Sequence, residues 1–149
     1  MFLSIIVFTV PWIIGIIHLH PKDRKLIPLI APFTSVIAFL INELWIYFDF
    51  GEVHPFDEQE TLPGLPFNIG LYPIVGAYLI LFTSKSTHPY VLIFLWALCI
   101  TFLENVLVKT EHVVYEEGWN ILWTYFAYLA AFVLIYWFYL YLRKLKVIN

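Results

Sequence analysis

Five apolar runs alternate with short polar breaks along the chain, at 2–19, 26–48, 67–83, 90–108 and 121–142. At about 1.5 Å of rise per residue, each approaches the ~30 Å thickness of a bilayer's hydrocarbon core. The pattern therefore predicts a bundle of five transmembrane helices. The third run is the shortest and carries Gly70, Pro73 and Gly76. It predicts a kinked helix buried among the others, with a re-entrant segment as the alternative. A proline inside a spanning helix is tolerated where neighbours satisfy the carbonyl it frees. The longest break, "DFGEVHPFDEQETLPGLP" at 49–66, is rich in Pro, Gly and acids. It is expected to be ordered at its ends and mobile at its centre.

Composition agrees with this pattern. Of the 149 residues, 62% are hydrophobic and 13% charged, and that charged share is too low for a soluble domain of this length. The whole chain, 1–149, is expected to form one domain. The single Cys99 lies inside an apolar run, which argues against disulfides and against a cysteine metal site.

The net charge of -3 is less informative than where the charges sit. No basic residue precedes the first apolar run; the cluster "HPKDRK" follows it, as in an N-out anchor rather than a cleaved export signal. With the N-terminus outside, Lys22, Arg24, Lys25, Lys85, Arg143, Lys144 and Lys146 all fall on the cytoplasmic side, leaving only Lys109 outside. Asp49, Glu52, Asp57, Glu58, Glu60, Glu111, Glu116 and Glu117 fall in the two external loops. Losing one crossing would scramble this segregation.

Two polar pairs interrupt the apolar runs near their outer ends, Asn42-Glu43 and Glu104-Asn105. Counting from the helix ends places both carboxyls roughly 6–8 Å below the outer boundary. Asn68 opens the third run and Asn120 precedes the fifth, so Glu43, Glu104, Asn42, Asn68, Asn105 and Asn120 form a candidate polar cluster at one level. A carboxylate facing lipid near mid-bilayer costs on the order of 2.5–3.5 kcal/mol. Both glutamates are therefore expected to point into the bundle and to bond a facing Asn or Tyr. Tyr47 lies one turn from Glu43, and Thr101 one turn from Glu104, on the same helix faces.

The bland role for such groups is to join helices, at about 0.6–2 kcal/mol each. The functional role is a polar pocket open to the outer leaflet, fit for acid/base work or cation binding. The histidines say less. "HLH" at 18–20 does not share one helix face, and His54 and His112 match no known ligand spacing, so no metal site is expected. The aromatics, 6 Trp, 10 Tyr and 14 Phe, suit interfacial belts. Trp119 and Trp123 would form the outer one and Tyr136, Trp137, Tyr139 and Tyr141 the inner one. Ala127 and Ala131 form a small-xxx-small pair that predicts a close helix contact.

The stretches "LPFNIGLYPIV" and "LENVLVKTEHVVYEEGWN", with the aromatic last run, resemble an uncharacterised family of small five-helix integral membrane proteins of bacilli and clostridia. The resemblance covers the last 90 or so residues and implies a multi-pass protein of the bacterial cell membrane, without implying a reaction. "YEEGW" at 115–119 is also similar to the paired glutamates of small polytopic carotenoid cyclases, but lacks the proline that precedes them there.

The sequence thus predicts an all-α polytopic membrane protein of five transmembrane helices, N-terminus outside and C-terminus cytoplasmic. The favoured function is a non-catalytic structural or interaction component with a Glu/Asn cluster near the outer leaflet. The alternative is a small membrane enzyme or lipid-binding protein using Glu43 and Glu104 as an acid/base pair. A third is an ion or proton pathway in an oligomer. The expected partners are the lipid bilayer and a second copy or another membrane protein, with no nucleic acid and no cofactor.

Overall fold

The computed structural model describes residues 2–53, 64–116 and 118–148. Each of the five apolar runs is a helix. Helix α1 (Phe2–Ile14) passes into a wide π-helical turn (Gly15–Leu19). Helix α2 spans Leu26–Tyr47 and leads into strand β1 (Gly51–Val53). A second π-helical turn (Phe67–Leu71) opens α3 (Tyr72–Thr83), followed by α4 (Pro89–Lys109), strand β2 (Val113–Tyr115) and α5 (Ile121–Lys144). Helices α2, α4 and α5 are long and apolar enough to cross a membrane. The other two apolar segments, Ser4–Leu19 and Phe67–Thr83, are shorter, about 24–26 Å at helical rise.

The two short segments are also the two with π turns, and they pack on one another. Each contains a proline, which removes an N–H and frees the carbonyl four residues before it. Pro73 frees the carbonyl of Ile69, and the Trp12 indole N–H of α1 donates to that oxygen at 2.8 Å. Pro11 frees the carbonyl of Val7, which lies against Gly70: a β-carbon at Gly70 would sit 2.9 Å from that oxygen and 2.6 Å from Phe8 Cα. Only a glycine lets the two backbones meet this closely. Widening the turn before Pro73 gives its ring room, so the expected kink takes the form of a π turn. The third helix is buried as expected, with Pro73, Ile74, Ala77, Leu79 and Ile80 all inside.

The strands add an element outside the all-α expectation. Strand β1 pairs antiparallel with β2, with Gly51 opposite Tyr115 and Val53 opposite Val113. The turn after α2 is thereby tied to the turn after α4, so both helices end at the same end of the bundle. The start of the long break is ordered in this ribbon. Its expected mobile centre, with His54, Asp57, Glu58 and Glu60, lies outside the described residues, as does Glu117. At the opposite end, the Lys25 ammonium donates to the Val147 carbonyl at 2.8 Å, joining the first basic turn to the basic tail.

Large apolar side chains cover the exterior on every long helix, with Ile17, Phe102 and Val91 more than half exposed. The dry core sits nearer the basic end, around Leu19, Ile30, Ile80, Ile93 and Ile135. Tyr136 and Tyr139 belong to this core rather than to an inner aromatic belt, whereas Trp137 and Tyr141 face outward. We predict that Gly70→Val, which drives a side chain into the backbone of α1, destabilises the bundle by about 1–3 kcal/mol. A lowered thermal unfolding midpoint in detergent would show this, and an unchanged midpoint would contradict the close crossing.

Candidate functional site

At the ribbon end the packing opens into a narrow cavity of about 100 Å³. Helix α2 lines it with Thr34, Ala38, Ile41, Asn42 and Trp45, and α5 with Thr124, Ala127, Tyr128, Ala131 and Ile135. From Trp45 to Thr34 the cavity follows α2 inward for about 17 Å at helical rise. Its polar groups gather at the ribbon end, where Glu104, Tyr72, Trp119 and Val113 close it. Ala127 and Ala131, the small-xxx-small pair of α5, both line this cavity.

Glu104 is the centre of the polar end. Tyr115 donates to its Oε1 at 2.8 Å, and Tyr128 donates to its Oε2. Because Tyr128 has given its only proton to the carboxylate, its oxygen accepts from Tyr72, 2.7 Å away. On the other side, the Trp119 indole donates to Thr124 Oγ1 at 2.8 Å, and Thr124 donates to Tyr115 at 2.9 Å. Two chains of donors, from α3 and from the turn before α5, therefore both terminate on one carboxyl group. Tyr115 lies in β2, outside the helices. Burial, followed by the neighbouring Glu104 charge, pushes its hydroxyl above the ordinary tyrosine range, so it remains a donor at physiological pH. The ribbon is locked in place beside it. The Trp45 ring meets Tyr115 edge-on at 6.3 Å, and a β-carbon at Gly51 would lie 2.1 Å from the Val114 carbonyl oxygen.

Of the candidate cluster, Glu104 and Asn42 line the cavity, and Asn68 is bonded to Asn42. The Asn42 amide donates to buried Asn68 Oδ1 at 2.6 Å, which joins α2 to the turn before α3. The remaining three lie elsewhere. Asn120 is exposed and caps α5, accepting from the N–H groups of Leu122 and Trp123. Asn105 is half-buried and does not line the cavity. Glu43 is exposed, which corrects the expectation that it points inward level with Glu104. The reason is helical phase. At about 3.6 residues per turn, Thr34, Ala38, Ile41 and Trp45 fall on one sector of α2, and Glu43 lies on the far side. Tyr47, one turn on, is exposed with it.

Thr101 was the expected same-helix neighbour of Glu104, but its buried hydroxyl has no hydrogen-bond partner. The groups that do hold Glu104, namely Tyr72, Tyr115, Tyr128, Thr124 and Trp119, are absent from the sequence-derived cluster. Spacing on α4 carried part of the signal: Ile93, Ala97, Ile100, Glu104 and Leu107 share one helical face, and all but Glu104 are apolar. Among the described residues no group of His, Cys, Asp and Glu is arranged to hold a metal ion. His112 bonds within its own turn, Nδ1 lying 2.9 Å from the Thr110 carbonyl oxygen, and its expected companion His54 is outside the described residues.

Compared with known proteins, the chain matches no family model, no curated sequence and no solved structure. The geometry alone therefore carries the functional argument. We predict different outcomes for the two glutamates. Glu104→Gln places an amide N–H₂ against hydroxyls that already donate, and costs about 1–3 kcal/mol of stability. Glu43→Gln leaves the unfolding midpoint unchanged. Thermal unfolding of both variants in the same detergent checks this; equal losses would mean that Glu43 is buried too.

Proposed function

We propose that the chain is a five-pass protein of the bacterial cell membrane, N-terminus outside, that holds a single-chain amphiphile in the cavity at its outer end. The observation that carries this is the shape and polarity of that cavity: a narrow apolar seam between α2 and α5 that ends in a cluster of hydrogen-bonding groups. The head would sit beside Glu104, Tyr72 and Asn42, and the tail along Ala38, Ala131 and Ile135. The volume, about 100 Å³, is several times the ~30 Å³ share of a water molecule but below that of a drug-sized pocket. It suits one chain rather than a whole diacyl lipid.

An acid/base enzyme built on Glu43 and Glu104 is not supported, because Glu43 lies on the far side of α2. An ion pathway finds no support in the inner half, where Leu19, Ile30 and Ile80 pack dry. A structural component without a ligand is the second reading. It is favoured by the way Glu104 and the Asn42–Asn68 pair are satisfied by the protein's own groups.

Two outcomes are expected. Reporter fusions should place Lys22–Lys25, Lys85 and the C-terminal tail inside and Glu111–Glu116 outside; the reverse arrangement would overturn the orientation. In bilayer nanodiscs, a brominated alkyl maltoside should quench tryptophan fluorescence saturably, through Trp45 and Trp119. Ala131→Phe, which fills the seam, should weaken that quenching at least tenfold. Identical quenching curves for the two proteins would favour the structural reading.

A further inference from the structure

We propose that the head of the cavity selects a cationic, alkylammonium group. This rests on the amphiphile reading and adds the chemical class of the head. The argument begins with proton counting. Tyr115, Tyr128 and, through Tyr128, Tyr72 all direct their hydroxyl protons toward Glu104, and Thr124 and Trp119 supply the chain behind Tyr115. Glu104 thus accepts on one oxygen from Tyr115 and on the other from Tyr128, an arrangement that suits the carboxylate form a cationic ligand would pair with. A carboxylate has about four lone-pair sites, and the two tyrosines fill one on each oxygen. Glu104 also lines the cavity, within reach of a group that enters it.

Among the described residues that line the cavity there is no Lys, Arg or His. The nearest basic residue in sequence, Lys109, is exposed at the end of α4. An anion in an apolar, low-dielectric recess is costly unless a cation meets it. The walls around it carry six aromatic rings: Trp45, Phe67, Tyr72, Trp119, Tyr128 and Phe132. Their π faces attract a weakly hydrated cation and most of all an alkylated ammonium, whose methyl groups also gain from apolar contact. An anionic head would meet the Glu104 charge directly. A neutral sugar head would leave that charge unmatched. Carboxylate, aromatic rings and apolar seam together specify a positive head on a single hydrocarbon chain.

The test separates head from tail. Choline and the uncharged alcohol in which carbon replaces its nitrogen have the same shape and differ only in charge. Each is added to the full-length protein in nanodiscs, with tryptophan fluorescence and the unfolding midpoint as readouts. Choline should bind at least tenfold tighter than the uncharged alcohol and raise the midpoint. Glu104→Gln should abolish the preference, so that the two alcohols bind alike. The comparison on the unaltered protein stands even where that variant does not fold. Equal binding of the two alcohols, with maltoside quenching intact, overturns the cationic head and leaves the amphiphile cavity standing. Absence of binding by all three overturns both.

Discussion

A hydrogen-bonding group enclosed among apolar helices must find its partners inside the protein, and this constraint organises the ribbon end of the molecule. Glu104 sits on the inward face of α4, so its two oxygens must be met from inside the bundle. They are met by Tyr128 of α5 and by Tyr115 of the ribbon, which are in turn held by Tyr72 and Thr124. Helices α3, α4 and α5 and strand β2 are thereby fixed around one carboxyl group. The ribbon itself, an irregular excursion from an otherwise helical protein, stays against the bundle because Tyr115 reaches down to Glu104 and Trp45 packs on its ring.

The same rule explains the two short helices. Each loses a backbone hydrogen bond to a proline, and each lies against the other at the carbonyl left behind. Trp12 supplies a donor to Ile69, and Gly70 lets Val7 approach. A proline in one helix alone would leave a bare carbonyl in the bundle. Here the two short segments form a mutually fitted pair, and the π turn before Pro73 spreads that proline's distortion over a turn instead of concentrating it in one sharp bend.

The asymmetry between the halves follows from side-chain size. Towards the basic end, Leu, Ile and Phe side chains fill the space between helices. Towards the ribbon end, α2 and α5 set the small side chains Ala38, Ala127 and Ala131 along the cavity. Small residues close a helix contact only where the backbones are free to approach. The Glu104 network and the ribbon hold the ribbon ends of α4 and α5 in place, and the small side chains border a space.

Hydropathy along the chain determined by itself where the five apolar runs lie, and among the described residues each of them is helical, because an unbroken apolar run satisfies its backbone groups internally as a helix. The segregation of basic and acidic residues to opposite ends was likewise visible, since charges avoid the apolar layer. Glu104, Asn42 and Asn68 could be singled out because polar groups are rare in such runs. Which of them meet was decided only by tertiary structure. Helices that are apolar on every side carry no polar stripe to mark their inward face, so the sequence could not show that Asn42 faces in while Glu43, its neighbour, faces out. The tyrosines that hold Glu104 come from three other elements and look, in sequence, like ordinary interfacial aromatics. Their roles arise from the rotation of each helix about its own axis, which packing sets and hydropathy does not record.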